Sequence, residues 1–303
     1  MTRMTSKKPR TKKQRVIQFL VNVLAVPCLI YIALLTYLYF NQRELIFPGS
    51  ASQYQEGGWV SAPPPGCEST TLPMKQGNIA AIFAHALKSD GQVSADDAHS
   101  PTVIYFYGNG GSIASSLDQV RRFQRLGCNV IVPDYQGFGM SGGTASEAGC
   151  YAAADAAYRY ALGRKDVDPK KLVFAGWSIG SAVAIDLASK HPCAALMTFS
   201  AFTSMAEMAN SQYPIVPLPM IRVILKHKFL SEEKIRRVRC PVLIGHSHAD
   251  KFVPYAMADR LAANAGGPVT RLTTTSSDHS DFFRNDNDFV FETADKFILQ
   301  NVH

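Results

Sequence analysis

Several patterns that mark metal-binding and redox proteins are missing from this sequence. Its six cysteines include no C-x-x-C pair and no zinc-ligand spacing, and its 303 residues contain no internal repeat. Five of the cysteines lie outside a long apolar segment near the N-terminus, so an oxidising compartment would still leave at least one unpaired. Free and mostly buried thiols are therefore expected. The length suits one domain of ordinary α/β-enzyme size or two small ones.

The chain lacks an excess of basic over acidic residues except in its first fifteen positions. The whole chain has 31 Lys and Arg against 24 Asp and Glu, and residues 1–15 contain seven of the basic residues and no acid. The rest of the chain is formally neutral. A nucleic-acid-binding protein should have its basic excess on the folded domain. No nucleic-acid partner is therefore expected, and the sequence predicts a basic tail over residues 1–15.

Charge is also absent from the segment Val16 to Phe40. It is long enough to cross a bilayer as a helix, and tyrosines near its far end are typical of a membrane interface. The sequence predicts a transmembrane signal anchor over 16–40. The alternatives are a cleaved signal peptide, with Ser50-Ala51-Ser52 as a candidate cleavage site, and a buried core helix, which this length disfavours. The positive-inside rule places the N-terminus in the cytoplasm and residues 41–303 on the other side of the membrane.

Beyond this segment, short apolar runs alternate with amphipathic stretches. Strands are predicted at 79–87, 102–106, 129–132, 172–175, 195–199, 241–245 and 269–274. Helices are predicted at 112–126, 147–162, 181–190, 255–265 and 282–300, with a turn-rich stretch up to residue 66 and a polar loop at 88–100. The alternation predicts an α/β fold with a mostly parallel sheet and helices on both faces. Ligands of such sheets bind at the carboxyl ends of the strands.

The stretch from Leu172 to Lys190 places a tight turn between a buried strand and a helix. Its sequence Gly176-Trp177-Ser178-Ile179-Gly180 has the G-x-S-x-G pattern of a nucleophile elbow. In such a turn the serine backbone is strained, and the flanking positions are small because neighbouring chain passes close by. The helix N-terminus beside the serine favours developing negative charge. Ser178 is therefore predicted to be a nucleophile; the alternative is a glycine-rich turn whose serine only caps the helix.

A carboxylate and a histidine follow the last two predicted strands. Asp250 comes after the first of these strands, and His279 comes after the second. The chain order Ser178, Asp250, His279 is the order of an α/β-hydrolase triad. In that triad the histidine accepts the serine proton, and the carboxylate fixes the tautomer of the histidine. The sequence predicts these roles for the three residues.

Other ionisable residues near these positions are weaker candidates. Asp278 and Asp281 flank His279 and compete with Asp250 for the acid role. His246 and His248 form an H-x-H pair, but no third ligand lies at metal spacing, so they are interpreted as loop residues framing Asp250. Asp134, which follows another predicted strand, is expected to be a structural hydrogen-bonding residue.

The loop Tyr107-Gly108-Asn109-Gly110-Gly111 also follows a predicted strand. Its glycines allow a sharp bend that leaves backbone N–H groups unpaired, as an oxyanion hole requires. The alternative is a plain turn or a phosphate-type loop. A dinucleotide site is disfavoured because the G-x-G-x-x-G spacing is missing.

Most of the chain after the apolar segment resembles the α/β-hydrolase superfamily, and in particular its membrane-anchored branch of the bud-emergence type. The resemblance rests on segments 44–48, 107–111, 134–143, 176–180, 200–204 and 228–230, and on the surroundings of the acid and the histidine. It implies that Ser178, Asp250 and His279 are the catalytic triad. It also implies that the backbone N–H groups of Asn109 and Ile179 bind the oxyanion.

Some features depart from the usual pattern of that family. Tyr107 stands where His is usual, and Gly245-His246 stands where His-Gly is usual. Only about forty residues separate the strands at 195–199 and 241–245, where large lipases insert a lid, so a short cap is expected at about 201–240. The candidates for substrate selection in this cap are Phe202, Met205 and Met208.

Together these features predict a membrane-tethered hydrolase domain over residues 41–303. It would cleave a carboxylic ester or thioester through a Ser178 acyl-enzyme, without a metal or organic cofactor. Lipids and lipidated molecules are among the expected substrates. The alternatives are a serine peptidase or amidase with the same triad, and a non-catalytic binding module with a hydrolase shape. Fold analogy alone does not determine the substrate.

Overall fold

A computed structural model of the chain describes residues 11–55, 62–74, 77–94 and 99–303. Most of the predicted basic tail, part of the turn-rich stretch before residue 66 and part of the predicted loop 88–100 lie outside these residues. The chain divides into two compact units, Met1–Gln42 and Arg43–His303. The second unit contains every candidate site residue.

The first unit contains the helix α1, Lys12–Phe40. It begins before the predicted position 16 because Thr11 and Gln14 form a capping box, in which each side chain accepts a hydrogen bond from the other residue's backbone. Pro27 lies inside the helix. Within the described part of the chain, α1 is the helix whose length and apolar composition suffice to cross a membrane.

The second unit is built on an eight-stranded sheet. The strands are β1 Cys67–Leu72, β2 Ile79–Ala84, β3 Thr102–Phe106, β4 Asn129–Pro133, β5 Leu172–Trp177, β6 Ala195–Phe199, β7 Val242–Ser247 and β8 Val269–Thr274. Their order across the sheet is β1-β2-β4-β3-β5-β6-β7-β8, and only the pairs β1–β2 and β2–β4 are antiparallel. The predicted α/β fold with a mostly parallel sheet is confirmed.

Further helices follow α1 along the described chain. They are α2 Gln42–Ile46, α3 Leu117–Arg125, α4 Glu147–Gly163, α5 Ile179–Ala188, α6 Met205–Gln212, α7 Leu218–Ile224, α8 Ser231–Ile235, α9 Tyr255–Asn264, α10 Phe282–Asn285 and α11 Asn287–Asn301. All residues of β3, β4, β6 and β7 are buried, so successive side chains on both faces of these strands are covered. On one side α4, α5, α8 and α9 contact each other in series. Elsewhere Phe123 of α3 packs edge-on against Phe291 of α11.

The sequence-based prediction missed one strand of the sheet. No strand was predicted at β1, whose Cys-Glu-Ser-Thr-Thr-Leu sequence is largely exposed because this strand lies at the edge of the sheet. The region 201–240, predicted as a short cap, contains α6, α7 and α8. Buried Asp186 of α5 pairs with Lys190 and with Lys234 of α8, which attaches this region to the sheet layer.

Candidate active site

Ser178 is the single residue between the end of β5 and the start of α5. Its backbone has φ 55° and ψ −121°, in the left-handed region that residues other than glycine seldom adopt. A strained residue of this kind persists only where the surrounding structure holds it, and such residues cluster at functional sites. The turn is tighter than the sequence predicted, since the helix begins at Ile179 and not at Ser181.

Two glycines make this turn possible. A Cβ on Gly176 would lie 2.1 Å from the carbonyl oxygen of Gly180, and a Cβ on Gly180 would lie 2.0 Å from that of Phe106 in β3. Both distances are far below van der Waals contact. The glycines of the G-x-S-x-G sequence therefore allow the elbow to pack against itself and against the neighbouring strand.

The structure brings Ser178, His279 and Asp250 into one chain of hydrogen bonds. His279 Nε2 lies 3.0 Å from Ser178 Oγ, and His279 Nδ1 lies 2.8 Å from Asp250 Oδ2. Ser178 is 5% exposed and Asp250 is 7% exposed, so little water competes for these bonds. In this arrangement an imidazole can accept the serine proton while the carboxylate stabilises the resulting imidazolium.

The surroundings of Asp250 keep it ionised. Burial opposes its charge, but hydrogen bonds from His246 and His279 hold the pKa of the carboxyl well below its usual range. The backbone N–H groups of Phe252 and Val253 also donate to Asp250 Oδ1, at 2.9 and 2.7 Å. His246, which the sequence predicted to frame Asp250, has its Nε2 3.4 Å from Asp250 Oδ2.

The other ionisable candidates have different positions. Asp278 Oδ1 accepts hydrogen bonds from the backbone N–H groups of His279 and Lys251, so it shapes the loop and does not contact the imidazole. His246 is a strand residue and not the predicted loop residue, because β7 continues beside β8 up to Ser247. In the described ranges, no three His, Cys, Asp or Glu side chains form a group that could hold a metal ion.

The predicted oxyanion donors are Ile179, which directly follows Ser178 in the chain, and Asn109. Ile179 is the first residue of α5, and Asn109 lies in the loop after β3. Nothing among the described residues accepts a hydrogen bond from the backbone N–H group of either residue. The loop itself is held in place, because Asn109 Nδ2 donates to the Ile46 carbonyl oxygen and the Asn109 carbonyl oxygen accepts from Gly49 N–H.

Hydrogen bonds of Tyr107 and Asp134 hold this loop in place. Tyr107 Oη donates to Asp134 Oδ1 at 2.8 Å, and the same oxygen accepts from Ile113 N–H at 3.1 Å. Tyr135 Oη donates to the Tyr107 carbonyl oxygen at 2.7 Å. Burial raises the pKa of Asp134 to about 6, although its hydrogen bonds lower it in part. The tyrosine that departs from the family pattern therefore has a structural partner.

A cleft of about 1130 Å³ opens beside His279 and Asn109. Its apolar wall consists of four aromatic side chains, namely Trp177, Phe252, Phe283 and Phe291. Its remaining wall is rich in arginine, which no sequence pattern indicated. Phe202, Met205 and Met208, the suggested selectivity residues, do not line this cleft, and Phe202 and Met208 are buried.

Comparison with known proteins agrees with this fold. Residues 101–220 match the family model described as the α/β hydrolase fold. The chain is 31% identical over 283 residues to the uncharacterized protein MT2364 of Mycobacterium tuberculosis, covering 92% of this chain and 95% of that protein. This chain belongs to the α/β-hydrolase family.

Two further proteins are similar to this chain at lower identity. The α/β hydrolase domain-containing protein WAV2 of Arabidopsis thaliana is 28% identical, with 67% of this chain and 71% of WAV2 covered. The esterase Pf2001 of Pyrococcus furiosus has a TM-score of 0.63 and 12% identity, covering 81% of this chain and 96% of the esterase. At that identity the structural likeness concerns the fold.

Proposed function

We propose that this α/β hydrolase is a serine hydrolase that cleaves carboxylic esters or thioesters. The observation that carries the proposal is the hydrogen-bonded chain from Ser178 Oγ through His279 to Asp250. The strained elbow and the two free N–H groups beside it support the same function, since both serve acyl transfer. The structural neighbour Pf2001 is an esterase, which is consistent with this chemistry.

The proposed reaction has two steps. Ser178 Oγ attacks the acyl carbon while His279 Nε2 accepts its proton, and the N–H groups of Asn109 and Ile179 stabilise the oxyanion. The imidazolium then protonates the leaving alcohol or thiol, so that an acyl-enzyme remains. Water attacks this ester with His279 as general base, which releases a carboxylic acid and regenerates the serine. The reaction as proposed uses no metal or organic cofactor.

The experiment compares the full chain, purified in a neutral detergent, with its Ser178→Ala variant. Both proteins are labelled with a fluorophosphonate probe and assayed with p-nitrophenyl esters of increasing chain length. Labelling and turnover in the parent alone support the proposal. Turnover of p-nitroanilides in preference to esters would favour a peptidase or amidase, and absence of labelling in a folded parent would favour a non-catalytic binding module.

We further infer that α1 anchors this hydrolase in a membrane, as in the membrane-anchored bud-emergence-type branch that its sequence resembles. The length and apolar composition of Lys12–Phe40 support the anchor, and the basic residues before it support a cytoplasmic N-terminus. Residues 41–303 would then face away from the cytoplasm. Protease added to intact cells or spheroplasts should digest these residues, whereas resistance until the membrane is lysed would contradict this orientation.

A further inference from the structure

The cleft beside His279 has an excess of positive charge. Five cations line it, in the helices α3 and α10 and in the loop after β7, whereas the lining carboxylates are Asp118 and Asp278. The cations are Arg121, Arg122, Arg125, Lys251 and Arg284. Since residues 16–303 are formally neutral as a whole, this excess is a property of the cleft and not of the chain.

Two of the cations already have carboxylate partners. Arg122 pairs with Asp288 at 2.9 Å, and Lys251 lies 3.8 Å from Asp278. Arg121 contacts only neutral acceptors, the Pro65 carbonyl oxygen and the Gln124 side chain, at 3.4 and 3.3 Å.

Arg125 and Arg284 are exposed, and neither has an ion-pair partner among the described residues. Together with Arg121 they leave three guanidinium groups in the cleft that have no carboxylate partner among the described residues. Guanidinium groups bind phosphate oxygens through paired N–H donors, and several of them match a dianionic phosphate better than a single carboxylate.

The position of the cleft indicates which part of a substrate would enter it. His279, the proposed proton donor to the leaving group, lines the cleft together with the arginines. A leaving oxygen must come within hydrogen-bond reach of that imidazole. The cleft is therefore suited to the alcohol part of an ester, and its aromatic walls enclose the carbon skeleton between the acyl bond and the charged group.

We propose that the substrate is an acyl ester of an alcohol that carries a phosphate monoester, and that Arg121, Arg125 and Arg284 bind this phosphate. The inference rests on the proposed serine hydrolase function and specifies its substrate class. The same phosphate monoester occurs in soluble acylated metabolites and in long-chain 1-acylglycerol 3-phosphate, a lysophospholipid. A membrane surface fits the observations less well, because the cations line a cleft shared with His279.

The kinetic test compares two water-soluble esters, 1-butanoylglycerol 3-phosphate and 1-butanoylglycerol, on the full chain in neutral detergent. We expect kcat/KM to favour the phosphate ester by about tenfold or more, as charged hydrogen bonds at a partly exposed site permit. This ratio should fall about tenfold in the Arg121→Gln/Arg125→Gln/Arg284→Gln variant. Arg159→Gln, on the exposed face of α4 and outside the cleft, should leave the ratio unchanged.

A binding test separates this inference from the proposed hydrolysis. Calorimetry with the uncleavable ethers 1-O-butylglycerol 3-phosphate and 1-O-butylglycerol measures the phosphate contribution without turnover. Tighter binding of the phosphate ether, lost in the triple variant, supports the site even if no ester is cleaved. Equal affinity for the two ethers, or a phosphate preference that survives the triple variant, overturns the proposal whatever the fluorophosphonate result.

A third comparison identifies the source of the phosphate. It compares 1-butanoylglycerol 3-phosphate with 1-oleoylglycerol 3-phosphate, both present in the same micelles. A higher kcat/KM for the oleoyl ester indicates a lipid headgroup, whereas a higher value for the butanoyl ester indicates a soluble metabolite. If the triple variant alters neither rate relative to the neutral glycerol ester, the phosphate site is refuted.

Discussion

The indole of Trp177 stacks on the imidazole of His279, with ring centroids 5.3 Å apart and planes inclined by 26°. Trp177 directly precedes Ser178, so the residue before the nucleophile holds His279, the base that Ser178 needs. Gly108 packs closely against the indole and restricts its position, since a Cβ at Gly108 would lie 2.7 Å from the ring. The elbow thus positions both the serine and the histidine.

Trp177→Leu should lower kcat about fivefold, because an aromatic pair contributes about 1 kcal/mol to holding the imidazole in place. The matched control is Tyr158→Leu, since Tyr158 stacks on His191 at 4.4 Å and neither residue lines the cleft. Ester turnover and thermal midpoints are measured for both variants. If both variants lose equal activity, a specific role of Trp177 is contradicted.

Asp250→Asn should lower kcat about a thousandfold or more, because the amide cannot stabilise an imidazolium or hold the required tautomer. Asp278→Asn is the matched control, since its backbone hydrogen bonds survive in the amide; we expect a loss of tenfold at most, about one hydrogen bond. Steady-state ester hydrolysis and circular dichroism check both variants. Equal losses would show that Asp278 shares the acid role.

Asp134 should make the stability of the protein depend on pH. Its folded pKa of about 6 lies above the usual 3.8, so the folded state holds the proton more tightly. The free energy of unfolding should therefore decrease as the pH rises through this window, by at most about 3 kcal/mol. Thermal midpoints of parent and Asp134→Asn are measured between pH 4 and 7. A difference between them that stays constant over this range would contradict the prediction.

Gly180→Ala should prevent the elbow from packing, because its Cβ would overlap the Phe106 carbonyl oxygen. A loss of about 3 kcal/mol or more in stability is expected, since backbone atoms cannot move aside as a flexible side chain can. Gly163→Ala provides the control, as nothing lies within 4 Å of its added Cβ. Thermal midpoints and fluorophosphonate labelling are compared. A Gly180→Ala protein as stable as Gly163→Ala would refute the close approach.

Cys193 and Cys240 should form a disulfide when treated with oxidised glutathione. Both thiols are free, their Sγ atoms lie 3.3 Å apart, and the following strands β6 and β7 hold them in place. The hydrogen bond from Cys193 lowers the pKa of Cys240, which favours Cys240 as the attacking thiolate. Mass spectrometry of unreduced peptides should find this link in the parent and not in Cys193→Ser. A link to Cys128 or Cys150 instead would contradict the structure.

The sequence by itself determined the parts of this protein that depend on local pattern. The strand–Ser178–helix turn follows from small residues at fixed spacing, and the α/β class follows from the alternation of apolar runs with helical stretches. Asp250 and His279 were predicted because the carboxyl ends of parallel strands meet at one edge of the sheet. Edge strand β1 was missed because it has no continuous apolar run to indicate it.

Only the tertiary structure decided which residues meet. Asp278 is adjacent to His279 in sequence, yet it turns to backbone N–H groups, and Asp250 reaches the imidazole across the sheet edge. The gathering of arginines in the cleft depends on how α3 and α10 approach one another, and no periodicity in either segment encodes that approach. Burial and hydrogen bonding then set the ionisation of Asp134 and Asp250 in opposite directions, although the two side chains are chemically identical.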